Sequence, residues 1–189
     1  MDTGEFLTRG TIWFSIVGYV AGSVIFAFCS SRGGRTQWES RARVVWTAAC
    51  VGLIAHFISA FHFYHGWSHA AAYADTAQQT QEVFGLNWGG GLFINYALLL
   101  AWIVDIAWWW WSGLDSYRKR RWPFIAAWHG VLVFIIFNAT VVFGDGIMRW
   151  LGLAISLLLT LTWLRIVRDS FFPLSANGAK CNGKGQRPK

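Results

Sequence analysis

Five long apolar segments divide this chain, and they constrain its fold more than any other feature of the sequence. They cover residues 11–29, 44–65, 89–111, 123–143 and 147–167. At about 1.5 Å of rise per residue, a helix over each segment is long enough to cross roughly 30 Å of hydrocarbon. Because unpaired backbone amides are too costly in lipid, we expect all five to be helices. The sequence therefore predicts an all-α, polytopic membrane helix bundle with five transmembrane helices.

Basic residues are concentrated in alternate connections between these segments. The 30–43 connection holds four, the 112–122 connection holds four, and the chain from Arg165 onwards holds six. Fourteen of the sixteen Lys and Arg residues would thus lie on one side of the membrane. Since cytoplasmic connections are enriched in these residues, we expect a multi-pass protein of the cell inner membrane, with the N-terminus outside and the C-terminus in the cytoplasm.

The chain is predicted to hold one membrane domain, residues 1–172, and a disordered tail, residues 173–189. The tail is basic and glycine-rich and has no apolar face to bury. The net charge of +7 does not indicate nucleic acid, because the basic residues are spread over three membrane-flanking segments. The lipid bilayer, with its anionic headgroups, is the expected contact.

Residues 68–84, between the second and third spans, predict a short outer surface helix. The stretch is rich in alanine and glutamine, Ser68 is a suitable N-cap, and Gly85 is a suitable C-terminal stop. The sequence leaves two arrangements open. The helix covers a pocket as a lid, or it lies flat on the membrane.

Fourteen tryptophans are several times the usual number for a chain of this length. Tryptophan is enriched at both membrane interfaces, and the predicted topology assigns twelve of the fourteen to such belts. Trp46, Trp109 and Trp163 belong to the inner belt in this interpretation. Only Trp102 and Trp128 are expected well inside the spans, as ordinary packing residues.

Four histidines lie in the long window between Arg43 and Arg118, which contains no lysine or arginine. If the second helix continues through Gly66, then His62, His65 and His69 fall within about a 60° sector of its surface. Imidazoles on successive turns can share one metal ion. We therefore expect these three histidines to ligate a transition metal ion, namely iron, copper or zinc, at the outer membrane boundary.

Two asparagines lie at about the same depth as His62 on other spans. Asn95 and Asn138 are each about 8 Å below the outer end of their segments. Polar residues at membrane depth normally face the interior of a bundle, so these two are expected to shape a pocket open to the outer side. Simple hydrogen bonding between helices, or placement at the interface, is the alternative interpretation of the asparagines and histidines.

Asp105 and His129 form a second polar pair, nearer the cytoplasmic side. Each lies about 9–10 Å from the inner edge, on consecutive antiparallel helices, so the two can meet. An unpaired carboxylate at that depth is costly, so we expect a hydrogen-bonded ion pair or a protonated Asp105. Either a structural clamp or part of a proton path, tuning a cofactor site from below, is consistent with the pair.

The function predicted from these features is metal binding for redox chemistry or metal handling. Haem is possible but less favoured, because no two histidines match in depth on facing helices. Sequence signatures of zinc proteases, serine hydrolases and phosphate-binding loops do not occur, so no reaction is assigned. Two other classes stay open: a structural or assembly subunit of a larger membrane complex or homo-oligomer, and a proton-coupled transporter.

Overall fold

The computed structural model of the protein describes residues 2–31, 36–118, 122–144 and 146–171, and within these ranges it is helical, with no strand. The helices are α1 (Thr3–Ser31), α2 (Thr36–Phe63), α3 (His69–Phe84), α4 (Gly91–Arg118), α5 (Trp122–Phe137) and α6 (Gly146–Phe171), and a π-helical turn at Asn138–Val142 follows α5. The all-α prediction is confirmed. The predicted tail, residues 173–189, lies outside the described residues.

Four of these helices are long and apolar enough to cross a membrane. The candidate spans in the described part of the chain are Thr3–Phe26, Ser40–Phe63, Gly91–Gly113 and Gly146–Arg165. A further apolar helix, Ala127–Val142, corresponds to the fourth predicted span and is shorter than the others. The apolar helices fit a multi-pass membrane protein.

Helices α1 and α2 form the most extensive helix pair of the structure. Gly18 of α1 lies against Ala49 of α2, so close that a Cβ on Gly18 would lie 2.9 Å from the Ala49 Cβ. One turn further along α1, a Cβ on Gly22 would lie 3.2 Å from the ring of Trp46. Small residues allow helix backbones to approach closely. In lipid, where the hydrophobic effect does not drive helices together, the resulting van der Waals contact stabilises the pair.

The buried core is centred on the α1–α2 pair and on α4, α5 and α6. Tyr19 of α1, Leu132 of α5 and Leu159 of α6 are among its fully buried side chains. Trp46, Trp109 and Trp163 are also buried, with exposed fractions of 4%, 2% and 8%. Their assignment to the inner interfacial belt is therefore wrong, because these three indoles pack inside the bundle rather than at its rim.

Helix α3 is confirmed, with the ends predicted from the sequence. The Ser68 hydroxyl accepts a hydrogen bond from the Ala71 N–H at 3.2 Å. Gly85 has the left-handed φ of +71°, and its N–H donates to the Gln81 carbonyl at 2.9 Å. Two of its alanines, Ala72 and Ala77, are buried, and the helix packs against α4. Helix α3 is thus held by its alanine face.

Helix α2 ends at Phe63, two residues before the predicted end of the second span. The following turn has positive φ at Gly66 (+51°) and at Trp67 (+61°), a conformation that a continuing helix does not contain. The Trp67 N–H donates to the Phe61 carbonyl at 3.0 Å and thereby closes the turn. The predicted continuation of the helix through Gly66 is therefore wrong.

The close α1–α2 contact predicts that alanine substitutions at two glycines of α1 differ in their effect on stability. Gly18→Ala places a methyl group against Ala49. Because the two helices must move apart to accommodate it, the free energy of unfolding should fall by about 1–3 kcal/mol. Gly10→Ala is the matched control, because a Cβ at Gly10 meets nothing within 4 Å. Thermal unfolding in detergent measures both. Equal apparent Tm values for the two variants would contradict the close contact.

Candidate functional site

A cavity of about 300 Å³ lies among α1, α2, α4 and α5, with α3 contributing to its lining. This volume is at the lower end of the range for small-molecule sites in proteins. Most of the lining is apolar, formed by residues such as Ile16, Leu53, Leu98, Leu132 and Ile136. Asp75, Thr76 and Gln79 of α3 also line the cavity. One side of α3 therefore borders the cavity, and its role as a lid stays a prediction.

Polar side chains reach this cavity from every helix around it except α5. They are Ser15 and Tyr19 of α1, His56 of α2, His65 of the following turn, Asp75, Thr76 and Gln79 of α3, and Asn95 of α4. His56 has a fixed tautomer when neutral, because its Nδ1–H donates to the Thr8 carbonyl at 2.9 Å. Its acceptor lone pair is then on Nε2. The cavity thus offers hydrogen-bond donors and acceptors within apolar walls.

Tyr19 connects the cavity with a buried polar cluster in the bundle. Its side chain is fully buried, and its hydroxyl is hydrogen-bonded to Nδ1 of His129 at 3.0 Å. The imidazole of His129 stacks on the indole of Trp163, with 3.3 Å between ring centroids and 16° between planes. Both partners in this contact are aromatic rings. The orientation of His129 is therefore set by ring stacking as well as by its hydrogen bond.

Asp105 belongs to the same cluster through Trp46. The Trp46 Nε1–H donates to Oδ2 of Asp105 at 3.1 Å, and the same indole packs edge-on against His129 at 5.3 Å between ring centroids. Asp105 and His129 are only 5% and 4% exposed. The structure thus brings the predicted pair into one cluster. The hydrogen bond from Trp46 compensates in part for burying the carboxyl group of Asp105.

The three outer histidines do not gather on one helical face, because α2 ends before His65. His62 is exposed and its ring packs at 4.7 Å against Phe63. His69 lies in the first turn of α3, where Nδ1 is hydrogen-bonded to the Tyr96 hydroxyl at 3.2 Å. Of these three histidines, only His65 lines the cavity. Within the described ranges, no group of three or more His, Cys, Asp or Glu side chains is arranged to hold a metal ion.

The two asparagines occupy different environments. Asn95 lines the cavity as expected. Asn138 begins the π-helical turn, where its amide donates to the Phe134 carbonyl of its own helix at 2.8 Å. Asn138 is not part of the cavity lining among the residues described, and its neighbour Ala139 takes that place.

Sequence reasoning missed Tyr19, Trp46, Trp163 and His56. A tyrosine or tryptophan in an apolar segment is typical of an interfacial belt, so three of the four were hidden among aromatic residues. The signal that was present is Gly18-x-x-x-Gly22, which brackets Tyr19 and indicates a close helix interface on that face of α1. A tyrosine between two such glycines is expected in the interior of a bundle.

Comparison of the chain with protein-family models, with curated proteins and with solved structures found no match.

The Tyr19–His129 contact predicts a measurable loss of stability when the Tyr19 hydroxyl is removed. Tyr19→Phe keeps the ring and removes the hydrogen bond to the buried imidazole, which should lower the free energy of unfolding by about 1–2 kcal/mol. Tyr64→Phe is the matched control, since Tyr64 is 56% exposed. Thermal unfolding in detergent compares the two variants. An unchanged apparent Tm for Tyr19→Phe would show that the contact contributes nothing.

Proposed function

We propose that this protein binds a small molecule in the cavity beneath α3, and that the molecule has an apolar body and at least one polar group. The observation that carries the proposal is the cavity itself: about 300 Å³, mostly apolar, with eight polar side chains reaching it. Sites of this kind take their affinity from apolar contact and their specificity from a few placed polar groups. His56, whose ring orientation is fixed by its hydrogen bond to the Thr8 carbonyl, supplies such a group.

The proposal includes the topology predicted from the sequence. We take Ala127–Val142, together with the preceding turns of α5, as the fourth of five spans, with the N-terminus outside and the C-terminus in the cytoplasm of the inner membrane. The distribution of the fourteen basic residues supports this arrangement. In this topology α3 lies on the outer side, so the ligand reaches the cavity from outside the cell membrane.

The buried cluster of Tyr19, His129, Trp46 and Asp105 has a positioning role in this proposal. His129 holds the Tyr19 hydroxyl, and Trp46 joins His129 to Asp105. The Tyr19 side chain forms part of a cavity wall that is already held in place, so this wall needs no reordering when a ligand binds, which favours affinity. A proton path through Asp105 and His129 stays a prediction from the sequence, since Trp46, which lies between them, donates its indole N–H and accepts no proton.

Native ligand that copurifies with the protein tests the proposal. Organic extracts of the purified protein should contain a small molecule, detected by mass spectrometry, that is lost from Ala60→Trp, because Ala60 lines the cavity and an indole there fills it. Ala101→Trp, at an exposed position of α4, is the matched control and should retain the molecule. Identical extracts from the two variants, both folded, would refute binding in the cavity.

Metal binding is a second candidate function, in a form that differs from the expected three-histidine site. His65 lines the cavity, and imidazole is a common ligand for zinc and iron. The described residues include no group of three or more His, Cys, Asp or Glu side chains arranged to hold a metal ion, so His65 is the one expected ligand that this form keeps. His62 and His69 have no part in this form. We propose iron, copper or zinc as the metal, in redox chemistry or metal handling, with haem as the less favoured cofactor.

Two histidine variants separate this candidate from the first. Quantified by mass spectrometry, bound iron, copper or zinc should fall several-fold in His65→Ala and stay unchanged in His62→Ala, whose ring lies outside the cavity. A metal-free protein whose apparent Tm does not respond to added ions would exclude the candidate. The other two classes, a subunit of a membrane complex and a proton-coupled transporter, stay predictions from the sequence.

A further inference from the structure

The acidic and basic side chains in the cavity lining are unequal in number. Asp75 of α3 is the only carboxylate among the described lining residues, and none of them is a lysine or arginine. The Asp75 carboxylate accepts a hydrogen bond from the Gln79 side chain at 3.0 Å, which holds it on the helix surface without neutralising it. The lining thus offers a negative charge and no positive partner from Lys or Arg.

The scarcity of basic residues is by itself a consequence of membrane topology, because outer connections are depleted in Lys and Arg whatever the protein binds. The presence of Asp75 is not explained in that way. Arg9, the basic residue nearest the start of α1, is exposed and pairs with Glu5 at 3.3 Å rather than with Asp75. The negative charge at the cavity is therefore available to a ligand.

Aromatic side chains form a second feature of the lining that points to the same ligand class. Tyr19, Phe57, Phe61 and Trp102 all reach the cavity. The faces of such rings attract cations, most strongly for tryptophan and most strongly where water is excluded. Phe57 and Phe61 are the rings of this set that offer surface to a ligand, since they are half-buried, whereas Tyr19 and Trp102 are 0% and 3% exposed. A carboxylate combined with several aromatic rings is the usual composition of a site for organic ammonium groups.

We infer that the ligand is an organic cation, an amine or quaternary ammonium compound with an apolar body. The inference rests on the proposed binding function and adds to it the charge of the ligand. The ammonium group is held by Asp75 and the rings of Phe57 and Phe61, and the apolar body lies against residues such as Leu98 and Leu132. The acceptor lone pair of His56 suits an ammonium N–H or a hydroxyl group on the same molecule.

Three probes of nearly equal shape test the sign of the charge. They are benzyltrimethylammonium, its neutral isostere neopentylbenzene, and the anion phenylmethanesulfonate, titrated calorimetrically into the detergent-solubilised protein at pH 8, where imidazole side chains carry little charge. The cation should bind at least tenfold more tightly than the anion. Asp75→Asn should weaken cation binding about fivefold and leave binding of the neutral probe unchanged.

Glu82→Gln is the matched control on the same helix. Glu82 accepts a hydrogen bond from Gln78 at 3.1 Å, as Asp75 does from Gln79, but it lies outside the cavity lining. Cation binding should therefore be unchanged in this variant. Equal affinity for all three probes, or equal losses in Asp75→Asn and Glu82→Gln, would overturn the inference while leaving cavity binding intact. Binding of none of the probes would overturn the inference and count against the proposed function as well.

Discussion

The close approach of α1 and α2 is the constraint on which the rest of the structure depends. Gly18 and Gly22 allow α1 to sit directly against Ala49 and Trp46 of α2. Because Tyr19 lies between the two glycines, the same contact fixes this phenol inside the bundle. The buried hydrogen bond to His129 depends on that position. Helix packing by small residues is thus also what creates the polar interior.

Burying four polar or ionisable side chains in an apolar bundle is costly unless each finds a partner. Here Tyr19 bonds to His129, Trp46 bonds to Asp105, and the flat contact with Trp163 holds the imidazole. The tryptophans that surround the cluster exclude water from it and so strengthen these hydrogen bonds. The same arrangement leaves Tyr19 in contact with two environments, the cavity on one side and the buried cluster on the other.

Periodic and local signals in the sequence were sufficient for part of this architecture. The lengths of the apolar segments predicted the long helices, and Ser68 and Gly85 predicted both ends of α3, because capping depends on a few neighbouring residues. The placement of His65 was not predictable from helical spacing, because Trp67 adopts a positive φ that few non-glycine residues adopt. Trp46, Trp109 and Trp163 were misplaced for a different reason. Composition does not distinguish an indole at the rim from one that packs inside.

In the proposed function, the position of α3 beside the cavity separates ligand choice from the stability of the membrane bundle. Asp75, Thr76 and Gln79 sit on a short helix that packs against the protein through the buried alanines Ala72 and Ala77. If the cavity binds the proposed ligand, substitutions at these three positions are expected to change which ligand is bound while the contacts between the long helices stay intact. Specificity and scaffold stability would then depend on separate sets of residues.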